Sequence, residues 1–401
     1  MIILVLVVSL LATLVACTCD CGYTVNATSS PAYALFTEAF ETDFLHLHNL
    51  ANESTVSENP KKATGWFPQA YNTTPSDARG EYGKAMMLSN LVTNPLPNMT
   101  TWGAQGSDPG LQLWVRQELV PLSGTTSQMV SGAELASTRD NMLYGSFRVG
   151  AKFSSVNGTC GAFFFYRNDS SEIDFEYLSR QAPAPGSGNS TSPINLVVQS
   201  PESVNQGFNA AGTPGFDLAT MSFLAAQGYH EYRFDWLPDR IDFYIDGSIV
   251  WTGSSFVPDG PGRLIMNHWS NGNQGWSGGP PAEDAVMTVS YVKAYFNTTD
   301  TERTAQWSGA CANAWENKTC ELPDQTMSID PTGPMGNQTG HTLFFSQQPG
   351  GEVNQTIYPG AMDAVSEASG PSRHPVNLNK VLGYTLLTSF TCFFFGATIA
   401  S

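Results

Sequence analysis

The segment that most constrains the fold alternates acidic and apolar side chains. Residues Ser171–Leu178 read Ser-Glu-Ile-Asp-Phe-Glu-Tyr-Leu. A period of two is typical of a β-strand, in which successive side chains point to opposite faces of the sheet. Glu172, Asp174 and Glu176 therefore share one face, and the apolar residues between them point into a core. Because the apolar face fixes the register, the three carboxyls must stand in a row.

Runs of β-branched and aromatic residues bounded by turn residues recur along the middle of the chain. Asp246-Gly247 separates two of them and predicts a tight hairpin. No helical period of useful length occurs outside the two ends, so we predict an all-β sandwich of two antiparallel sheets. The predicted strands are Tyr144–Phe153, Cys160–Tyr166, Glu172–Leu178, Ile194–Val198, Glu231–Trp236, Ile241–Ile245, Ser248–Thr252, Arg263–Trp269 and Val286–Phe296.

The carboxyl row suggests catalysis. Like charges on one strand face repel, so selection for stability alone would not favour three of them. Their coupling is predicted to raise the pKa of at least one, as a general acid beside an ionised partner requires. The alternative is the solvated face of an edge strand, and spacing alone leaves both interpretations open.

Several motifs resemble those of glycoside hydrolase family 16. Glu172–Glu176 resembles its Glu-x-Asp-x-Glu signature, and other segments follow in the family's order. These segments are Tyr144–Phe147, Tyr232–Trp236, Ile241–Gly247, Met266–Trp269 and Trp276. The resemblance implies a concanavalin-like β-jelly-roll sandwich with a concave substrate cleft. Residues from about Cys19 to Thr138 match only weakly and are assigned by continuity.

The resemblance also implies roles for the acids. Glu172 would be the nucleophile, Glu176 the general acid/base, and Asp174 a neighbour that tunes the nucleophile. The reaction would be a retaining double displacement on β-glucan or a related cell-wall polysaccharide, and it needs no metal or other cofactor. In a flat strand, residues four apart would stand too far from each other for this chemistry, so the strand must curve.

A sugar-polymer cleft also needs aromatic platforms and polar groups. The predicted substrate-binding residues are Tyr166, Asn267, Trp269 and Trp276. Trp236, inside an alternating strand, is predicted to pack in the core. Arg139 and Arg180 are either ligands of sugar hydroxyls or surface charges.

The ends of the chain predict its location. Residues 1–17 resemble a signal peptide, with a short buried helix as the alternative. Residues 366–401 have the small residues, polar spacer and apolar tail of a GPI-anchor signal, with a transmembrane helix as the alternative. Between them we assign residues 18–300 to the catalytic domain and 301–365 to a cysteine-containing extension and linker. The protein is therefore predicted to be secreted and attached by a lipid anchor to the outer membrane face or cell wall.

Composition fits that location. The chain has eleven Asn-x-Ser/Thr sites, which predict a glycoprotein. Its formal net charge of −17 argues against nucleic acid as a partner. Secretion makes disulfides more plausible than metal sites for the seven cysteines, and Cys311–Cys320 is the predicted pair. We expect a monomer.

Two further functions remain open at this stage. The same domain could transfer glucan or chitin chains instead of hydrolysing them. The anchor-like tail resembles fungal cell-wall remodelling members of the family, and the single residue between Asp174 and Glu176 resembles their branch and the lichenase-like branch. A glucan-binding lectin on the same sandwich is the non-catalytic alternative.

Overall fold

The computed structural model describes residues 19–26, 33–50, 65–97, 102–184, 186–314, 319–326, 328–331, 344 and 355–357. The predicted signal peptide and the predicted anchor signal lie outside these residues. None of the helices within the described ranges is long and apolar enough to cross a membrane.

Strands dominate the described residues, and all nine predicted strands are present with ends within two residues of the prediction. The strands are β1 (Tyr23–Asn26), β2 (Tyr33–Phe36), β3 (Glu38–Asp43), β4 (Trp66–Pro68), β5 (Tyr71–Thr73), β6 (Gly83–Met86), β7 (Leu91–Asn94), β8 (Gly110–Val115), β9 (Leu119–Pro121), β10 (Gln128–Ser137), β11 (Met142–Lys152), β12 (Cys160–Asn168), β13 (Ser171–Leu178), β14 (Ser192–Gln199), β15 (Phe216–Met221), β16 (His230–Trp236), β17 (Ile241–Ile245), β18 (Ser248–Gly253), β19 (Arg263–Trp269), β20 (Ala285–Thr298), β21 (Cys320–Glu321) and β22 (Gln355–Ile357). The α-helices are α1 (Pro75–Ala78), α2 (Pro201–Asn205) and α3 (Thr301–Asn313).

The strands form a sandwich of two large sheets. The cleft sheet has the order β15-β14-β13-β12-β19-β10-β6-β5, and the back sheet has the order β18-β17-β16-β11-β20-β3-β22. Their inner faces meet in one aromatic core, where the rings of Phe163 and Phe175 lie 5.7 and 6.5 Å from that of Phe234. The predicted all-β jelly-roll sandwich is confirmed.

The predicted hairpin at Asp246-Gly247 is also confirmed. It connects β17 to β18, and both residues have a positive φ, 47° and 73°. A two-residue turn of this hand matches the twist of the strands that it joins, and Asp and Gly tolerate it.

The predicted Cys311–Cys320 disulfide is wrong. Cys311 is bonded to Cys21, and Cys320 is bonded to Cys19. The reason is that β21 pairs in parallel with β1, with Cys320 opposite Tyr23. The N-terminal segment therefore lies beside both distant cysteines, and nearness in sequence does not decide the pairing.

Helix α3 was not predicted from the sequence. Asp300 begins it by accepting hydrogen bonds from the backbone N–H groups of Glu302 and Arg303. No residue of this helix is buried. It therefore has no apolar stripe, and a search for a helical hydrophobic period cannot detect it. Arg303 attaches the helix to the sandwich through Glu38, at 2.8 Å.

Candidate active site

The row of carboxyls lies on the open face of the cleft sheet. Ile173 and Phe175, between the acids, are fully buried in the sandwich core. Glu172, Asp174 and Glu176 therefore project to the opposite side, where they line a cleft. Strand β13 is hydrogen-bonded to β12 on one side and β14 on the other. The alternative of a solvated edge strand is therefore wrong.

The cleft has a volume of about 500 Å³ and crosses the strands of the cleft sheet from β5 to β14. The structure brings all four predicted substrate-binding residues into it together with the acids, namely Tyr166, Asn267, Trp269 and Trp276. Other lining residues were not selected from the sequence, among them Tyr71, Arg79, Lys84, Glu134 and Phe208.

Two donors converge on one oxygen of Glu176. Trp276 Nε1 donates to Oε1 at 3.3 Å, and the thiol of Cys160 approaches the same oxygen at 3.5 Å. Both contacts favour the ionised carboxylate and lower its pKa, but burial outweighs them and leaves the pKa of Glu176 raised. Trp276 thus orients an acid, a role that aromatic content alone did not predict.

Burial also dominates the acidity of Glu172. The pKa of Glu172 is raised to about 7, mainly by desolvation and in smaller part by the negative charge of Glu176. The sequence predicted a raised pKa from coupling between the carboxyls. Coupling is present, but the loss of water is the larger cause.

Asp174 is the most deeply buried of the three acids. Burial and the charge of Glu172 raise its pKa well above the ordinary value. A protonated Asp174 can donate the hydrogen bond that it shares with Glu172, and this bond lowers the pKa of Glu172. In the described part of the chain, Asp174 Oδ2 has no hydrogen-bond partner.

Glu134 is a fourth carboxyl in the cleft. It lies on β10 directly opposite Asn267 of β19. Its Oε2 accepts hydrogen bonds from Asn267 Nδ2 at 3.2 Å and from the hydroxyl of Tyr71 at 3.0 Å. The sequence contained a sign that Glu134 faces away from the core. This acid stands between the apolar residues Ala133 and Leu135, and both of these are fully buried.

The cationic groups of the cleft come from the segment around α1. Lys84 Nζ lies 4.5 Å from the ring centroid of Trp269, and burial lowers its pKa. The charges of Lys84 and Arg79 both lower the pKa of Glu176. This segment matched the family motifs only weakly in sequence, so its contribution was not predicted.

The two arginines considered as sugar ligands have other partners. Arg180 donates from Nη2 to the backbone carbonyl of Gly275 at 2.5 Å and from Nε to that of Trp276, so it supports the loop carrying that indole. Arg139 forms an ion pair with Glu38 at 2.7 Å and does not line the cleft. Trp236 is fully buried, as predicted. Among the described residues, no cluster of three or more His, Cys, Asp or Glu is arranged to hold a metal ion.

The segment that contains this site matches the model of a known protein family. The family model described as "Glycosyl hydrolases family 16" matches residues 98–293. This segment is therefore similar to glycosyl hydrolases of family 16. The match includes the carboxyl row and all four predicted substrate-binding residues, but it begins after α1 and β6.

Curated proteins similar to this chain include bacterial β-glucanases. A β-glucanase of Acetivibrio thermocellus is 32% identical over 161 residues, covering 38% of this chain and 43% of the relative. A β-glucanase of Bacillus amyloliquefaciens is 31% identical over 141 residues, covering 34% and 52%. The chain therefore spans about half the length of these relatives.

Solved structures also resemble the chain. A prokaryotic β-1,3-1,4-glucanase (lichenase) derived from a mouse hindgut metagenome has a TM-score of 0.45 and 17% identity, covering 64% of this chain and 99% of its own. The β-glucanase of Bacillus licheniformis has a TM-score of 0.43 and 19% identity, covering 64% and 98%.

Proposed function

We propose that the protein is a retaining glycoside hydrolase that cleaves β-glucan in cell-wall carbohydrate metabolism. The observation that carries this proposal is the row of Glu172, Asp174 and Glu176 inside an aromatic-lined cleft, in the segment that matches family 16. The relatives that this chain resembles are named β-glucanases.

In this mechanism Glu172 attacks the anomeric carbon and Glu176 gives its proton to the departing sugar oxygen. Water then loses a proton to Glu176 and releases the glycosyl group from Glu172, which restores both acids. Retaining enzymes need the two carboxyls about 5–5.5 Å apart. The charge of Glu176 raises the pKa of Glu172, which fits two carboxyls close together in a water-poor cleft.

Asp174 assists by keeping its proton. A neutral Asp174 adds no third negative charge to the row, and its hydrogen bond stabilises the ionised form of Glu172. Glu176 has to be protonated when the first bond breaks, and its raised pKa favours that state.

The remaining lining residues suit a sugar chain. The indole of Trp269 offers an apolar face for a pyranose ring. Glu134 and Asn267 hold each other in place and present polar atoms to sugar hydroxyls. The buried Asn267 Oδ1 has no hydrogen-bond partner among the described residues, so it is a candidate acceptor for a hydroxyl.

The test is turnover of defined β-glucans by the wild-type protein and by Glu172→Gln. We expect new reducing ends only with the wild type, and NMR of the earliest product should show the β-anomer. Prompt α-product would exclude the retaining mechanism. Binding without turnover in both proteins would indicate a lectin, and sugar transfer to an added oligosaccharide acceptor would indicate a transglycosylase.

We further propose a fungal cell-wall type of protein that is secreted and GPI-anchored. Two disulfides support an oxidising compartment. The Asn-x-Ser/Thr sites at Asn72, Asn157, Asn168 and Asn189 are exposed and accessible to glycosylation. Phosphatidylinositol-specific phospholipase C should release the mature protein from cells, and a mature peptide containing residues 393–395 would contradict the anchor.

A further inference from the structure

We infer that a contact between Arg79 and Phe208 bridges the cleft above the carboxyl row and admits the interior of a β-glucan chain only when it opens. The guanidinium carbon of Arg79 lies 3.7 Å from the ring centroid of Phe208. Both residues line the cleft that contains Glu172 and Glu176. The inference rests on the proposed function and adds a preference for chain ends and short chains.

The two partners come from opposite sides of the cleft sheet. Arg79 follows α1, between β5 and β6 at one edge of the sheet. Phe208 lies between β14 and β15 at the other edge. Four strands, β13, β12, β19 and β10, lie between β14 and β6. With neighbouring strands about 4.8 Å apart, the two edges can meet only above the face of a curved sheet.

The bridge also runs from one end of β13 toward the other. Arg79 is anchored at the Glu176 end, because its carbonyl accepts from Asn273 Nδ2 at 3.1 Å in the loop that carries Trp276. Phe208 belongs to the Glu172 end, where Gln199 leads into its connection and lies opposite Glu172. The contact therefore spans the cleft diagonally, from one edge of the sheet to the other and from the Glu176 end of β13 to the Glu172 end.

The position of Arg79 is fixed by close packing. The preceding carbonyl of Ala78 accepts from Asn271 Nδ2 at 2.6 Å. A Cβ on the following residue, Gly80, would lie 2.1 Å from the carbonyl oxygen of Asn271, so only glycine fits against that loop. Arg79 itself has φ 57°, a conformation uncommon for a residue with a large side chain.

Phe208 is held in a similar way. Its N–H donates to the carbonyl of Ser203 in α2 at 2.8 Å, and it also has a positive φ of 66°. This geometry directs a half-buried aromatic ring toward the cleft rather than toward the core. Left-handed conformations of large residues are often kept where a side chain must be placed for function.

Arg79 lines the same cleft as Glu172 and Glu176, and its charge acts on both carboxyls. It lowers the pKa of both Glu172 and Glu176. Arg79 precedes residue 98, where the family match begins, whereas Phe208 lies within the match, so only one partner of the bridge is outside it.

The bridge is tested with Phe208→Ala and Arg79→Ala. Phe208→Ala removes the contact but keeps the charge of Arg79, and Phe208→Tyr keeps the ring. The measured quantity is the initial rate on polymeric β-glucan divided by the rate on a short β-glucan oligosaccharide. Loss of an exposed cation–π contact should raise this ratio about two- to fivefold in both alanine variants, with Phe208→Tyr close to wild type.

The matched control is Arg116→Ala. Arg116 stacks on Trp114 at 4.5 Å but does not line the cleft, so its loss should leave the ratio unchanged. Thermal unfolding of each variant checks that the fold is intact. If β-glucan is cleaved and the alanine variants of Arg79 and Phe208 keep the wild-type ratio, the bridge is wrong while the proposed function stands. If the wild type neither binds nor cleaves β-glucan, the proposed function and the inference of the bridge are both wrong.

Discussion

The indole nitrogen of Trp276 lies 3.3 Å from Oε1 of Glu176, which couples an acid on strand β13 to the loop after β19. Arg180 in turn donates to the backbone carbonyl of Trp276. The orientation and acidity of Glu176 therefore depend on Trp276, which is 100 residues away in sequence, and not only on the strand that carries the acid.

Replacing Trp276 should shift the pH dependence of turnover. The hydrogen bond from Trp276 favours the ionised form of Glu176, so Trp276→Phe should raise the pKa of Glu176 further. If Glu176 is the general acid, the alkaline limb of kcat/KM moves to higher pH, with a lower maximum. A pH–rate profile on soluble β-glucan measures both. Trp102→Phe, at an exposed position that does not line the cleft, should leave the profile unchanged.

The thiol of Cys160 should lower the pKa of Glu176, as Trp276 does, but by a smaller amount. Its buried thiol is a poor donor, at 3.5 Å from Oε1. Cys160→Ala should therefore shift the alkaline limb of the kcat/KM profile slightly to higher pH. Cys160→Ser, which keeps a hydrogen-bond donor, should leave the limb unshifted. An alanine variant with a shifted melting temperature but an unshifted pH profile would show that Cys160 only packs.

Stability should fall as the pH rises through the titration range of Glu172. Burial raises the pKa of Glu172 from 4.5 to about 7 in the folded protein. Between these values the folded state binds more protons than the unfolded state, so the free energy of unfolding decreases with rising pH and stays lower above about pH 7.

The matched variant Glu172→Gln cannot ionise. Its melting temperature should therefore exceed that of the wild type at about pH 8, and the difference should shrink toward about pH 4, where the wild-type carboxyl is protonated in both states. Equal melting temperatures at both pH values would show that Glu172 is not destabilised by burial.

Much of the fold could be predicted because alternation reports directly on a strand with one face in a core. The nine central strands followed from runs of β-branched and aromatic residues between turn residues, and the inward side chains of Ile173 and Phe175 followed from the alternation. The same logic placed the acids on the open face. It could not show that burial, rather than mutual repulsion, is the main cause of the raised pKa of Glu172, because burial depends on the walls of the cleft.

The features that the sequence concealed depend on contacts between distant segments. Cys19 and Cys21 find their partners through the pairing of β1 with β21, which no spacing reveals. The bridge of Arg79 and Phe208 joins loops at opposite edges of one sheet. Glu134 was visible as an acid between buried apolar residues, but a single acid does not identify a cleft.

The two disulfides should stabilise the domain without affecting its chemistry. They close loops of 301 and 290 residues in sequence separation, and helix α3, which has no buried residue, is attached in part through Cys21–Cys311. Replacing Cys21 and Cys311 together by Ser should lower the free energy of unfolding by about 2–5 kcal/mol. Denaturant titration measures the loss, and kcat on β-glucan at low temperature should be unchanged.

The last prediction separates the two glutamates by chemical rescue. Removing a nucleophile prevents the covalent intermediate, whereas removing an acid/base spares substrates whose leaving group needs no proton. Glu172→Ala should therefore be inactive on β-glucan and on an activated aryl β-glycoside alike. Glu176→Ala should lose about 10²–10⁴-fold on β-glucan but retain turnover of the aryl glycoside.

Added azide then identifies the intermediate. In Glu176→Ala, azide should attack the glycosyl group on Glu172 and give a β-glycosyl azide, because two inversions restore the starting configuration. Asp174→Asn, which preserves a hydrogen-bond donor near Glu172, should slow both reactions without abolishing them. A β-glycosyl azide from Glu172→Ala, with an α-glycosyl azide from Glu176→Ala, would mean that the two glutamates have exchanged roles. Full activity in both alanine variants would show that the catalytic site lies away from β13.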